Sequence, residues 1–292
     1  MQAIEENNNI GARIKKDKIF LGLVVLFSLI TVSPIVLIIY KLIEKGYRQL
    51  SFNFIFEKAP DTFQAMTAVA NHEVIPGGIA NGIVGTLLMV GLASLIAIPV
   101  GVISGVYLYE NQGKWIANLV RSVSDILQGV PSIVLGLISY MWVVKHVTHG
   151  FSALAGSVAL SIMMLPMIVR STEETLKMIP QTLKEAGLAL GIPYWRVLTG
   201  ILIPTGLSGL LNGILIAISR VIGETAPLML TALGSEVINT NITKPTNAIP
   251  LLIWQFYNDP NMVDLIWSSS LLLMIIVLTF NLISKQFASS RK

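Results

Sequence analysis

Long apolar windows free of charged residues divide this chain into its predicted elements. Five windows contain no charge: residues 19–40, 74–109, 126–144, 151–169 and 265–284. A sixth, residues 197–235, contains only Arg220 and Glu224. Because about 20 apolar residues cross the hydrocarbon core of a bilayer as a helix, the pattern predicts an all-α integral membrane protein with about six transmembrane helices. Pro131 interrupts the third of them.

Composition and charge agree with a membrane chain of fixed orientation. Of the 292 residues, 53% are hydrophobic and 12% are charged, about half the charged fraction of an ordinary soluble domain. The chain has no cysteine, which excludes disulfides, thiolate metal sites and cysteine nucleophiles. Thirteen of the 20 lysines and arginines fall in segments on the side of the two termini. The positive-inside rule therefore predicts cytoplasmic termini.

The windows also set the expected organisation of the chain. Residues 1–18 are predicted as a cytoplasmic tail without a cleavable signal peptide, and residues 19–75 as the first helix with an outer segment. Residues 76–287 form the predicted membrane core, which includes a cytoplasmic loop at 170–204, and residues 288–292 form a second tail. Within the outer segment, the alternation in "LSFNFIF" predicts a short extended piece at the membrane interface.

The predicted cytoplasmic loop carries helix signals of its own. Two S/T-x-x-E patterns fit capping boxes, Ser171 with Glu174 and Thr182 with Glu185. Gly191 provides a stop, and Pro193 suits the first turn of a new helix. These signals predict two short helices hinged at Gly191. An amphipathic helix lying in the membrane plane would explain the same pattern without a functional role.

Arg220 and Glu224 lie on a face of small residues. At 100° per residue, they project onto the same side of a helix as Gly206, Gly209, Gly213 and Ala217. Small residues let other helices approach, so this face is expected to meet protein or water rather than lipid. Two interpretations remain: the charges neutralise each other and fix the packing, or Arg220 is a fixed cation on the path of an anion and Glu224 orients it.

Three further patterns bear on chemistry. Arg121 and Asp125, four residues apart, predict an interfacial ion pair. His146 and His149 are too few for a metal site and are interpreted as surface residues. No G-x-x-x-x-G-K-[ST] phosphate loop is present in the sequence, so any ATP must be bound by another chain.

The loop resembles the EAA loop of ABC importer permeases, with the pattern E-A-A, three residues, G, nine residues, I-x-L-P. The residues at the positions of this pattern are Glu185, Ala186, Gly187, Gly191, Ile201, Ile203 and Pro204. Gly187 replaces an alanine and Ile203 a leucine, which leaves the acidic residue and the glycine intact. The resemblance implies a type I (MetI-like) permease fold, in which this loop forms a coupling helix seated on an ATP-binding subunit.

A second resemblance concerns the substrate. "SRVIGETAPLMLTA" is similar to a segment of phosphate-specific ABC permeases, and "GVPSIVLGL" and "NAIPLLIWQFYNDP" also match that family from about residue 77 onward. The chain length favours the PstA-type subunit over its longer PstC-type sibling. The resemblance implies that Arg220 and Glu224, with Thr225 as a weaker candidate, lie on the anion pathway. Glu185, Ala186, Gly187, Gly191 and Pro204 would form the contact with the ATPase.

Together these features predict a permease subunit of an ATP-driven phosphate importer in the cytoplasmic membrane, which forms half of an alternating-access pathway. The chain itself is expected to be no enzyme and to bind no cofactor, with ATP and magnesium held by a partner. The implied partners are a PstC-type permease, two PstB-type ATP-binding subunits and an external PstS-type phosphate-binding protein. The alternatives are an ABC permease for sulfate or molybdate and a secondary transporter that uses Glu224 as a proton carrier.

Overall fold

The structure, a computed structural model, describes residues 2–289 and is built from helices. Thirteen α-helices follow one another within that range: α1 Gln2–Gly46, α2 Phe52–Phe56, α3 Thr62–Ala70, α4 Ala80–Glu110, α5 Trp115–Gly129, α6 Ser132–Ser139, α7 Ala153–Lys177, α8 Gln181–Ala189, α9 Tyr194–Val197, α10 Ile203–Ile222, α11 Ala226–Met229, α12 Ile249–Tyr257 and α13 Val263–Ser289. Two π-helical turns, Tyr140–Val144 and Leu198–Leu202, extend α6 and connect α9 to α10.

Five stretches of the described chain are long and apolar enough to span a membrane: Arg13–Gln49, Ala80–Glu110, Ala153–Lys177, Tyr194–Ile222 and Pro260–Ile283. A sixth span exists if α5 and α6 with its π turn are counted as one, although the chain bends by 108° between them. The all-α membrane fold is therefore confirmed. The predicted interruption of the third helix at Pro131 is confirmed, because this residue has no N–H to continue the hydrogen-bond ladder and the chain turns there.

Helices α4, α7 and α10 form the centre of the bundle through small residues. A Cβ atom on Gly101 of α4 would come within 2.7 Å of Ile168 on α7, and one on Gly105 within 2.5 Å of Thr172. On α10, a Cβ atom on Gly206 or Gly209 would crowd Thr175 of α7. The predicted small-residue face thus packs against protein. Apolar side chains of α4, α7 and α11 fill the core around these contacts.

The outer segment is helical, so the prediction of an extended piece is wrong. The hydroxyl of Ser51 accepts a hydrogen bond from the backbone N–H of Phe54 at 3.2 Å and caps α2. The rings of Phe52 and Phe56, four residues apart, lie 4.6 Å from each other, and Phe54 is buried. A serine cap and an i,i+4 aromatic pair therefore outweigh the alternation of apolar residues.

The loop between α7 and α10 differs from its sequence prediction in two ways. Ser171 lies inside α7, and α8 follows Pro180 without a side-chain cap, so both capping-box assignments are wrong. Gly191 does act as the hinge, since its φ angle of +75° lies in the left-handed region that glycine adopts freely. Helix α9 is the first turn of the next membrane span rather than a separate helix.

Candidate functional site

Arg220 lies in the last turn of α10. Helix α10 ends at Ile222, and Gly223 follows with its N–H donating to the carbonyl of Arg220 at 3.3 Å. The Arg220 side chain is 48% exposed. Its Nη1 lies 3.6 Å from the sulfur of Met167, a residue near the middle of α7. The guanidinium therefore lies beside the middle of α7, at the point where α10 ends.

Glu224 is a loose partner for this arginine. Its Oε1 is 3.9 Å from Arg220 Nε, and its side chain is 20% exposed. The backbone N–H of Glu224 donates to the carbonyl of Val221 at 3.3 Å, which keeps the carboxylate near the arginine although the helix has ended. A guanidinium has five N–H donors. Within residues 2–289, Arg220 makes only these two long contacts, so most of its donors remain open to an anion.

Thr225 starts the single turn α11 through its backbone. Its carbonyl accepts from the N–H groups of Leu228 and Met229, both at 3.1 Å. Pro227 of α11 packs directly against Gly136 of α6, where a Cβ atom would come within 2.6 Å of the proline Cα. Thr225 thus fixes the turn that joins the broken end of α10 to the rest of the bundle.

Charged residues of α5 and α7 form ion pairs, and not as the sequence indicated. The predicted pair of Arg121 with Asp125 is wrong. Arg121 instead donates to Glu173 at 2.8 Å and to the carbonyl of Leu108 at 2.9 Å, and Lys177 donates to the same Glu173 oxygen at 2.7 Å. Glu173 is 1% exposed. Because α5 lies across α7, its arginine finds a partner on the neighbouring helix, and the cluster ties α4, α5 and α7 together.

A polar cavity of about 570 Å³ adjoins Arg220 and was missed by sequence reasoning. It lies between α5, α7 and α10 and is lined by Asp125, Gln128, Met167, Arg170, Ser171, Glu174, Asn212, Gly213 and Ile216. Arg170 pairs with Asp125 across α7 and α5. In the sequence, the only indication of this cavity was the position of Asp125 and Arg170 at the ends of two apolar windows. The packing of α5 against α7 brings these two residues together.

The residues of the predicted coupling loop divide into an exposed and a buried set. Glu185 and Ala186 are exposed on α8, whereas Gly187 is buried. A Cβ atom on Gly187 would be 3.0 Å from Val197 Cγ2, so glycine lets α8 lie close against α9. Pro204 follows the π turn Leu198–Leu202 and lacks the N–H that would bond the carbonyl four residues earlier, which accounts for the widened turn.

Helix α8 is anchored on one side and surrounded by apolar surface on the other. The Lys184 ammonium lies 5.5 Å from the ring centre of Tyr109 and 5.0 Å from that of Tyr194. Close to the helix, Met178 is 75% exposed and Leu190 is 80% exposed. A short helix with a free carboxylate between large exposed apolar residues has the character of a protein docking surface.

A second polar cavity of about 340 Å³ lies near α3, at the end of the bundle opposite to α8. The buried Asn81 donates to the carbonyl of Ser235 at 2.9 Å, and the buried Asn247 donates to Gln255 at 2.8 Å. At its rim, the backbone N–H of Asn261 holds the pKa of Asp259 below its usual value. These amide contacts fix the long connection between α11 and α12 to the start of α4.

The two histidines noted in the sequence face backbone carbonyls. Nδ1 of His146 lies 2.7 Å from the carbonyl of Met141, and Nδ1 of His149 lies 3.1 Å from that of Lys145. Within residues 2–289, no three histidine, aspartate or glutamate side chains converge as a metal site would require.

Comparisons with known proteins agree with this architecture. Residues 97–289 match the family of binding-protein-dependent transport system inner membrane components. The chain is 35% identical over 283 residues to the phosphate transport system permease protein PstA of Yersinia pestis, which covers 96% of this chain and 92% of that protein. It is 37% identical over 270 residues to the probable phosphate transport system permease protein PstA of Methanocaldococcus jannaschii, which covers 91% of each.

Solved structures share the fold. An inward-facing MetNI methionine ABC transporter matches 72% of this chain and 94% of its own chain, with a TM-score of 0.62 and 24% sequence identity. A second crystal form of the same transporter gives a TM-score of 0.60 at 21% identity. The expected type I permease fold is therefore confirmed.

Proposed function

The chain belongs to the family of binding-protein-dependent transport system inner membrane components and, within it, to the PstA-type phosphate permeases, and from that membership we propose that it is a membrane subunit of an ATP-driven importer of inorganic phosphate. In this role it forms half of a translocation pathway that opens alternately to the two sides of the membrane. The relatives named for phosphate transport cover most of the chain, from the first helix to the last.

The observation that carries the proposal is the state of Arg220. Its guanidinium is half exposed beside the middle of α7, and its two contacts within the described residues are 3.6 and 3.9 Å long. An arginine in a membrane span costs about 2.5–3.5 kcal/mol on insertion scales, so it is kept for a purpose. A guanidinium matches the geometry of phosphate oxygens. Arg220 therefore acts as the fixed cation of the anion pathway, and Glu224 orients it.

Energy input from ATP follows from the charge of the cargo. Moving a divalent anion inward against 100 mV, inside negative, requires about 2.3 kcal/mol for each charge before any concentration gradient is added. A passive pore would let phosphate leak outward. The sequence contains no phosphate loop, so ATP and magnesium are bound by partner subunits.

The partners attach at the two ends of the bundle. The α8 end faces the cytoplasm together with both termini, and α8 docks on one of two PstB-type ATP-binding subunits through Glu185 and its apolar neighbours. The α3 end faces outward and receives a PstS-type phosphate-binding protein. A PstC-type permease completes the pathway on the open side of the cavity between α5, α7 and α10.

The test is uptake of labelled phosphate in cells that lack this chain and retain its partners, with labelled sulfate in parallel. The wild-type chain should restore phosphate uptake only, and Arg220→Gln should reach the membrane without restoring it. Lys285→Gln, which removes an exposed cation near the end of α13, serves as the control for lost charge. If the wild-type chain restored uptake of sulfate and not of phosphate, sulfate would be the substrate. If Arg220→Gln were fully active, the arginine would have only a structural role.

A further inference from the structure

The cavity between α5, α7 and α10 lies next to Arg220. Met167 both lines this cavity and contacts the Arg220 guanidinium. Ile216, another lining residue, lies one turn before Arg220 on α10, about 6 Å along the helix axis. Arg170 lies one turn beyond Met167 on α7, about 4.5 Å closer to the α8 end. An anion that leaves Arg220 toward the α8 end would therefore enter the cavity directly.

Most side chains of the cavity are polar, and three of them are accessible although they lie on helices of the bundle. The Arg170 side chain is 36% exposed and that of Asp125 is 51% exposed, while Asn212 is also exposed. Ionisable groups within spans face protein or water rather than lipid. This side of the bundle therefore meets water or a neighbouring protein chain rather than lipid.

The charges of the cavity select the kind of anion it can hold. Its lining includes one cation, Arg170, and two carboxylates, Asp125 and Glu174, together with the amides of Gln128 and Asn212. Ionised carboxylates only accept hydrogen bonds, so they repel an oxyanion without protons. Both forms of phosphate present at neutral pH keep a P–O–H group that can donate to a carboxylate, whereas sulfate has no proton to donate.

We propose that this cavity is a second binding site for phosphate on the α8 side of Arg220, in which Arg170 binds the charged oxygens and Asp125 accepts the hydrogen bond of the P–O–H group. Glu174 is a second acceptor at the rim, Gln128 supplies an amide donor, and Asn212 forms part of the wall without a role in binding. The arrangement repeats that of Arg220 with Glu224, an arginine beside a carboxylate. A site built to bond a ligand hydroxyl rejects an analogue that lacks it, because its acceptor is left unpaired.

This inference rests on the proposed function and deepens it by assigning the inner part of the pathway. It is tested by binding rather than transport. Because the chain has no cysteine, Asn212→Cys places a single thiol in the cavity. The complete transporter is held in nanodiscs, and a water-soluble maleimide labels this chain with phosphate or sulfate present at equal ionic strength. Lys114→Cys, in the exposed connection between α4 and α5 near the α8 end, is the matched control.

The expected result is labelling of Asn212→Cys that phosphate slows and sulfate does not. At ten times the half-protecting concentration, the rate should fall about tenfold, while that of Lys114→Cys stays constant. Adding Arg170→Gln should abolish protection. Adding Asp125→Asn should allow sulfate to protect the thiol from labelling. If Arg170→Gln fails to assemble with its partners, the result with Asp125→Asn alone tests the proposed site.

Three results would overturn the site. One is the absence of labelling at Asn212→Cys while Lys114→Cys reacts, which would mean a dry cavity. The second is a labelling rate of Asn212→Cys that is the same with and without phosphate. The third is equal protection by sulfate and phosphate in Asn212→Cys without a further substitution. If the wild-type chain still takes up phosphate in any of these cases, only the proposal of the inner site is rejected, and the proposed function stands. Protection by phosphate without phosphate uptake would instead remove the proposed function.

Discussion

The sulfur of Met167 lies 3.6 Å from a guanidinium nitrogen of Arg220, so the exposed cation of α10 rests on the middle of α7. A thioether is a weak acceptor, and it holds the guanidinium without satisfying it. The arginine is thereby positioned beside the middle of α7 while its remaining donors stay available.

Arg220→Lys should retain part of the uptake that Arg220→Gln loses. Lysine keeps the positive charge but replaces the planar fork of donors with a single ammonium group. We expect the rate of phosphate uptake to lie between those of the wild type and Arg220→Gln, with a raised half-saturating concentration. Initial rates over a range of phosphate concentrations measure this. Equal loss in both variants would show that the fork geometry matters more than the charge.

Glu173→Gln should destabilise the protein. The substitution leaves Arg121 without a carboxylate in a partly buried position and weakens the link between α5 and α7. We expect the free energy of unfolding to fall by about 1–3 kcal/mol. Thermal denaturation of the purified complex measures the change. Asp125→Asn, which breaks the half-exposed pair with Arg170, should change it by at most about 1 kcal/mol. Equal effects would argue against the buried cluster as the stronger link.

Gly213→Ala should disturb the packing of α10 on α7. A Cβ atom at this position would overlap the side chain of Ser171, including its Cβ, so the helices must separate. We expect a loss of stability of about 1–3 kcal/mol from overpacking and less assembled complex in the membrane. Gly91→Ala on α4 is the control, because no atom lies within 4 Å of its Cβ position. Similar behaviour of the two variants would contradict this packing.

Gly191→Ala should strain the hinge between α8 and α9. The φ angle of +75° is unfavourable for a residue with a Cβ, by about 1–2 kcal/mol, although the space around it is open. We expect lower thermal stability and slower uptake, with a milder effect for Gly191→Asn because asparagine tolerates this conformation better. Gly200→Ala has equally open space without a positive φ and should be neutral. A neutral Gly191→Ala would mean that the hinge relaxes freely.

Glu185→Lys should uncouple transport from ATP hydrolysis. The carboxylate is exposed on α8 between apolar residues, so reversing its charge should disturb docking on the ATP-binding subunit without affecting the fold. We expect uptake and the stimulation of ATPase activity by the binding protein to fall together, while the thermal unfolding temperature stays unchanged. Glu44→Lys, an exposed reversal on α1, should leave both intact. Normal stimulation in Glu185→Lys would reject the coupling role.

The sequence by itself determined the membrane class, the number of spans and the region of the mid-membrane arginine. Each of these depends on local composition or on the periodicity of one helix, and a chain in lipid must satisfy its backbone within each span. The glycine face of α10 was predictable for the same reason, since it repeats along a single helix and requires a close neighbour. The left-handed turn at Gly191 was also readable from its residue type.

Only the tertiary structure decided how charges on different helices pair. Arg121 does not pair with Asp125, one turn away on the same helix, but with Glu173 on α7. Asp125 pairs instead with Arg170. The crossing of α5 over α7 creates these contacts, and no pattern within one helix encodes it. The sharp bend at Pro131 and the end of α10 at Ile222 have the same origin. Proline and glycine permit a break in a helix, but packing against neighbouring helices fixes where the chain turns and which polar groups come together.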